Sequence, residues 1–416
     1  MLLPRPLRRL VLAPAIPLLT LLLLTTLPLW LIVAALASPR LPGRLRPLRV
    51  LSFLIVVLVA ESLALVALLV LWLARGMRRP PLGERARAAH YWLMRAYLAI
   101  VFWSGRRVFN LDFAVDATEA RNGALDLDAA LHEGETVDLP GTVRASRSAL
   151  REWWRRVRGR PHPVSSGRFR VTDDDRRVPL LVFSRHAGPG DSLLLVHALL
   201  QQGFRPHIAL RDVLQWAPAI DVALNRLPNV FLSRRSSGQR DAIARVAAGL
   251  GSGDALVLFP EGRNFTPTRR LASIARLEEQ GDHAAAEYAR EMRHVLVPRP
   301  GGAAAAIAAA EDAEVVFVAH TGLEDLSSVV DLWRGTPMDA SIRVKLWRVP
   351  AGDVPDDDAV AAEWLRGWWR RIDAWILDNH GRGALPDAAV RAVTDEPGRG
   401  PGQGPGQGPG QGPGQG

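Results

Sequence analysis

The 416 residues include no cysteine, which excludes disulfide staples, thiolate metal sites, iron–sulfur clusters and a cysteine nucleophile. Any chemistry must run on oxygen and nitrogen groups. Lysine is almost missing too: Lys345 is the only one, so the 52 basic residues set against 42 acidic ones are nearly all arginines. A guanidinium stays charged and forks onto phosphate or carboxylate, which suits anionic lipid head groups, nucleic acid or a phosphorylated substrate. Genome composition explains an arginine-rich, lysine-poor chain equally well, so charge alone names no partner. Charge is also absent from Leu10 to Ser38, and Val50 to Ala74 holds only Glu61. What is present, 48% hydrophobic and 23% charged residues, suffices for a packed core and excludes a chain that is disordered or fibrous throughout. The length exceeds one average domain and leaves room for an anchor beside a catalytic unit.

Each of these two apolar stretches is long enough to cross a hydrocarbon core, so residues 1–80 are expected to form a two-helix membrane anchor. Arg5, Arg8 and Arg9 followed by Ala35-Leu36-Ala37 also fit a cleaved signal, but the apolar run is longer than an ordinary signal core and a second one follows. Arginines sit before the first segment, between the two (Arg40, Arg44, Arg46, Arg49) and after the second (Arg75, Arg78, Arg79), so their count does not set orientation. A hairpin crossing twice puts Arg40 to Arg49 outside; a pair kinked at Pro14, Pro17 and Pro28 keeps every cluster on one side. The expectation adopted is embedding in the cell membrane from its cytoplasmic face. Glu61 reads either as functional or as a neutral carboxyl paired with another helix.

Residues 81–165 are expected to hold an interfacial helix and a variable linker. Tyr91, Trp92, Tyr97, Leu98 and Phe102 sit among arginines from Arg85 to Phe109, the pattern of a helix lying along a membrane surface. Asp112 to Asp138 is acidic and weakly patterned, which suggests an insertion, and arginines around Trp153 and Trp154 suit an anionic membrane surface or a solvated helix face. Gly167 to Val171, the turn Asp173-Asp174-Asp175 and Val178 to Phe183 read as a hairpin whose second strand is central. Further strands are expected at Asn229 to Leu232, Ala255 to Phe259 and Glu314 to Ala319, with helices at Ser192 to Gln202, Gln239 to Leu250 and Gly301 to Ala310. This alternation predicts an α/β fold, a mixed sheet flanked by helices, over residues 166–380. Trp364, Leu365, Trp368, Ile372, Trp375 and Ile376 repeat as the core face of an amphipathic helix, and 381–416, ending in Pro-Gly-Gln-Gly repeats, has nothing to bury and is expected to be disordered.

A histidine with an aspartate five residues later occurs three times: His186/Asp191, His207/Asp212 and His320/Asp325. Context separates them. His186 leaves an apolar strand, and Ala187-Gly188-Pro189-Gly190 is a tight turn that folds Asp191 back beside the imidazole. An aspartate accepting from one ring nitrogen leaves the other free to take a proton. His320 also follows a strand and is the internal competitor, whereas His207 follows Pro206 outside any expected strand. His186→Ala is therefore expected to abolish activity, and His207→Ala and His320→Ala to leave most of it. Phe259-Pro260-Glu261-Gly262 leaves another apolar strand, and Ser233-Arg234-Arg235 a third, so His/Asp, Glu and Arg converge at the edge where α/β proteins place their sites.

From about Gly167 to Trp375 the chain resembles the glycerolipid acyltransferase family, the lysophosphatidic acid acyltransferase group. Ser184-Arg185-His186 through Asp191-Ser192, Phe231 to Arg234, Phe259 to Gly262 and Glu314 to Ala319 match its blocks in order, and His294 to Arg299 resembles the lysocardiolipin-type branch. The resemblance implies that His186 removes a proton from a glycerol hydroxyl as it attacks an acyl thioester, and that Asp191 orients the ring. It implies that Arg234 contacts the acceptor phosphate and that Glu261 and Gly262 shape the acceptor site. The substrates it implies are a lysophospholipid, first of all 1-acyl-sn-glycerol-3-phosphate giving phosphatidic acid, and acyl-CoA or acyl-carrier protein. No metal or other cofactor is implied, anionic membrane lipids are expected partners and nucleic acid is not. Two departures from the family pattern stand out: Arg185 replaces the usual asparagine, and Arg263-Asn264 the usual Thr-Arg. Either Arg263 supplies the phosphate charge from a neighbouring position or the acceptor is a different lysophospholipid. A non-catalytic lipid-binding protein that keeps the fold is the remaining alternative.

Overall fold

The computed structural model describes residues 4–41, 45–77, 82–116, 178–233, 238–324, 333–334, 336 and 341–379. The arginines around Trp153, the strand expected at Gly167 to Val171, Arg234 and the Pro-Gly-Gln-Gly tail lie outside them.

Seven strands form one sheet among the described residues: β1 (Asp112–Asp116), β2 (Leu180–Ser184), β3 (Arg205–Arg211), β4 (Val230–Leu232), β5 (Asp254–Leu258), β6 (Glu314–Thr321) and β7 (Ser341–Val349). Their order is β1-β7-β6-β2-β5-β3-β4, and every neighbouring pair is parallel except β6 with β7. The expected mixed α/β sheet is therefore present, with β2 at its centre. All five β2 residues are buried, as a parallel strand covered on both faces requires. Leu180 and Val182 enter one core while Leu181 and Phe183 enter the other, the period-two alternation of a strand.

Helix α4 (Glu84–Phe109) and α5 (Pro189–Gln201) cover the first face. Phe102 of α4 stacks on His197 of α5 at 4.4 Å, and Arg95 Nε donates to Gln201 Oε1 at 2.9 Å. The opposite side of α4 leaves Trp92 and Trp103 exposed, so this helix is amphipathic as expected but is also bound to the α/β unit. Helices α6 (Pro218–Leu224), α7 (Gln239–Ala248), α8 (Pro267–Glu279), α9 (His283–Glu291) and α10 (Pro300–Ala309) follow, and α11 (Asp358–Asn379) closes the second face. Ala361, Leu365, Trp369, Ile372 and Ile376 recur at helical spacing on the buried side of α11. Trp368 stacks on Phe317 of β6 at 4.4 Å and Trp369 is fully buried. Truncating a residue such as Trp369 leaves a cavity worth about 3–5 kcal/mol.

Three strands differ from the sequence reading. His207 lies inside β3, which Pro206 does not prevent because proline is tolerated near a strand start. Strand β7 was not expected, and β1 uses the first residues of the supposed insertion, pairing Asp112 to Asp116 with Ser341 to Lys345. The N-terminal uncharged run is also not one rod: α1 (Arg5–Thr25) ends before α2 (Leu27–Ala37), and Pro28 sits in the first turn of α2, where its missing N–H is harmless. Pro14 and Pro17 stay inside α1.

Helices α1 and α3 (Arg46–Ala74) are long and apolar enough to cross a membrane, which points to membrane association. Thr20 Oγ1 and Ser62 Oγ join them at 2.8 Å. Along α3, Arg46 Nε donates to Thr336 O at 2.8 Å, Arg49 Nη1 to Val108 O at 2.7 Å, Ala219 N to Glu61 Oε1 at 2.9 Å and Arg226 Nη1 to Leu68 O at 2.9 Å. Near the start of α1, Arg8 and Arg9 hold Asp221 of α6 at 2.7 and 2.8 Å. Glu61 is thus paired, with a backbone amide of the α/β unit.

Candidate active site

The parallel strands from β6 to β4 end on one edge, and the polar residues expected at strand ends gather there. His186 stands two residues past β2. Gly188 precedes α5, Pro189 opens it, and Asp191 in its first turn points its carboxylate back along the turn. Asp191 Oδ2 accepts from Ala187 N at 2.5 Å and Gly188 N at 3.0 Å, and Ser192 Oγ donates to Oδ1 at 3.1 Å. The same carboxylate lies 3.0 and 3.2 Å from His186 Nδ1. Burial alone would raise the Asp191 carboxyl; the hydrogen bond from His186 and the His320 imidazole 3.6 Å away outweigh it and hold the group well below the usual carboxylate range. A carboxylate at Nδ1 assigns the ring hydrogen there and leaves Nε2 as the atom able to take a proton. The His186 side chain is 21% exposed, lines the cavity beneath the edge and packs against Phe259 at 4.6 Å between ring centres.

Glu261 follows β5 and is buried, with its oxygens turned to backbone: Oε1 accepts from His186 N and Oε2 from Leu296 N, both at 2.9 Å. It ties the histidine-bearing turn to the segment before α10. Burial pushes the Glu261 carboxyl up to about 7 despite the nearby Arg185 guanidinium and those two amides. Gly262 lines the cavity at φ +70, a left-handed conformation that glycine adopts without strain, and a Cβ there would meet the Arg299 guanidinium at 3.4 Å. Arg263 also lines the cavity, as do Arg211, Arg240 and Arg299. Arg234 lies outside the described residues; Ser233, just before it, is on the cavity wall.

The cavity measures about 970 Å³ and runs from this arginine-rich end to the N-terminal helices, where Ala64 and Leu68 of α3 and Leu93, Met94 and Tyr97 of α4 line it. An apolar slot of that size that ends in cations suits an amphiphile with an anionic head.

The other two histidines separate in space. His207 is buried in β3, with Nδ1 2.9 Å from Pro228 O and Nε2 3.2 Å from Asp254 Oδ1, so its partner is not Asp212 and it lies away from His186. His320 ends β6 with Nε2 3.6 Å from Asp191 Oδ2; Asp325 lies outside the described residues. Arg185 is fully buried and points away from the cavity, donating to His320 O at 2.7 Å and His294 O at 3.0 Å and pairing with Glu324. The sequence held no local signal for these contacts, because Arg185, His294 and Glu324 meet only once the sheet has formed.

The family model described as Acyltransferase matches residues 168–320, the span that carries this geometry. Residues 168–320 therefore form an acyltransferase domain. Searches of curated proteins and of solved structures return no match. The acyltransferase domain spans His186, Asp191, Glu261, Gly262 and Arg263 and closes on His320, while α1 to α4, β7 and α11 lie outside the matched span.

Proposed function

We propose that this acyltransferase moves a fatty acyl group from acyl-CoA or acyl-carrier protein to the free hydroxyl of a lysophospholipid, with 1-acyl-sn-glycerol-3-phosphate as the first acceptor and phosphatidic acid as the product. The observation that carries the reading is the cavity, which brings the His186 ring, an apolar slot against the anchor helices and the guanidinium end into one continuous space. His186 Nε2 takes the hydroxyl proton as the oxygen attacks the thioester carbonyl. Asp191 offsets the charge of the imidazolium that forms. The tetrahedral intermediate then collapses, the C–S bond breaks, and the imidazolium returns the proton to the departing thiolate. The acyl chains of the acceptor occupy the slot lined by Leu68, Leu93 and Met94, and Arg263, Arg211 and Arg299 face its phosphate. Each arginine–phosphate contact contributes about 1.5–3 kcal/mol as a charge-assisted hydrogen bond.

The anchor supports entry from one leaflet. Bonds at Arg46, Glu61 and Leu68 tie α3 to the α/β unit along about 33 Å of helix, so both ends of α3 stay beside that unit. We place the helices in the cell membrane from its cytoplasmic face, where acyl thioesters are found, with anionic lipids against the arginine clusters. The test is transfer of labelled oleate from oleoyl-CoA, then from acyl-carrier protein, to lysolipids with and without a terminal phosphate. Preference for lysophosphatidic acid supports the reading; equal use of lysophosphatidylcholine overturns the assigned acceptor, and no transfer to any lysolipid from either donor overturns the function.

A further inference from the structure

We infer that His320 is a positioning residue for the His186/Asp191 pair: held by buried Arg185 and its ion pair with Glu324, its imidazole fixes the Asp191 carboxylate on the His186 ring. The inference rests on the acyl-transfer reading above. His320 Nε2 lies 3.6 Å from Asp191 Oδ2, the oxygen that is 3.0 Å from His186 Nδ1, so two imidazoles flank one carboxylate oxygen. The same Nε2 is 3.3 Å from Arg185 O. Among the described residues, His320 Nδ1 is buried without a hydrogen-bond partner. A hydrogen on Nδ1 would therefore be stranded, which assigns the ring hydrogen to Nε2, facing both oxygens. His320 is 3% exposed and does not line the cavity, so it acts through Asp191 and not on a substrate.

The support is built from elements far apart in the chain. Arg185 bonds the His320 carbonyl at 2.7 Å and pairs with Glu324, whose other oxygen accepts from Gly322 N at 2.6 Å, so the segment leaving β6 wraps the guanidinium. The charged and titratable groups facing the pair are Arg185 beyond β2, Glu261 beyond β5, and His320 and Glu324 at the end of β6. The replacement of the family's usual asparagine by Arg185 thereby acquires a role in holding the aspartate, with the acceptor contacts left to cavity-lining residues. The sequence alone treats His320 as separable from the site; its place beside Asp191 changes that expectation.

Without His320 the carboxylate loses a polar neighbour and one wall. More of its charge then falls on His186, and its orientation loosens although the Ala187, Gly188 and Ser192 donors remain. In the full-length protein, His320→Ala should lower kcat about tenfold, a loss on the scale of small misplacements of a reacting group, with KM unchanged for both substrates. The acid limb of the kcat profile should move up by about half a pH unit. His320→Gln, whose amide can donate from a similar place, should recover most of kcat. In parallel, the pH dependence of His186 modification by diethyl pyrocarbonate, read by peptide mass spectrometry, should show the same upward shift without needing turnover. If the wild type proves inactive yet that midpoint still moves in His320→Ala, the acyl-transfer reading fails and the positioning stands. If the wild type is active, kcat stays within about twofold and neither pH midpoint moves, the inference is overturned. Should His320→Ala not fold, His320→Asn is scored by the same two readouts.

Discussion

At the edge of the sheet, Asp191 gathers donors from Ala187, Gly188, Ser192 and His186, all within five residues of itself. In the helical layer of α1 and α3, by contrast, Arg8, Arg9, Arg46, Arg49 and Glu61 each reach a distant part of the chain, across the join to the α/β unit or to the end of α4. The site is thus assembled locally and then braced, while the anchor's rare polar groups set how an apolar layer sits on a folded unit. Hydrophobic contact alone is non-directional and would let those helices slide. Pairs such as Arg8–Asp221, with side chains 3% and 1% exposed, fix the register and keep the cavity continuous from Leu68 to His186.

Three substitutions sharpen this contrast. The largest expected effect is Asp221→Ala, which takes the carboxylate away from the buried Arg8 guanidinium and from the partly exposed Arg9, and should cost about 3–5 kcal/mol, the scale for breaking a buried ion pair by removing one partner. Thermal unfolding of the solubilised protein reads it, and the Arg8→Ala/Asp221→Ala double variant should recover part of the loss. Additive losses would mean that the pair does not couple anchor and unit. Next comes Gly322→Ala at φ +94, where the new Cβ would stand 2.6 Å from Ser341 O. Strain and overlap together predict a loss of about 2 kcal/mol or more, with a fall in activity because Glu324 and His320 adjoin it. Wild-type stability and turnover in that variant would remove the brace from the account.

The smallest effect is Glu261→Gln. The amide keeps one acceptor oxygen for two backbone donors, a loss of about 1 kcal/mol. The sign of its pH dependence follows from the raised carboxyl, near 7 in the fold against an ordinary 4.5. Folding favours the protonated group, so its contribution is full below 4.5 and is lost as pH rises through 7. The stability gap between wild type and Glu261→Gln should therefore shrink from pH 5 to pH 8, and a flat gap would show that Glu261 stays ionised.

The same contrast explains what was legible beforehand. His186 and Asp191 could be paired from sequence because five residues and a Gly-Pro-Gly turn settle their approach. The strands β2, β5 and β6 were legible because they are unbroken apolar runs, as buried parallel strands must be. Strand β3 was hidden by Arg205-Pro206-His207, and β1 by acidic residues whose pairing partner, β7, comes far later in the chain. His320 could be read as competing with His186 but not as sharing its aspartate, because only the pairing of β6 with β2 brings it to Asp191. Likewise Arg185 looked like a change at the acceptor site and proves to be buried against Glu324.

The most direct test of the central claim compares acyl transfer by wild type and His186→Ala in lipid at saturating donor and acceptor. Loss of the base predicts a fall of about 10³-fold or more in kcat while the variant keeps its fold and membrane association. A variant that transfers acyl groups within about tenfold of wild type would contradict the assignment of His186 as the base.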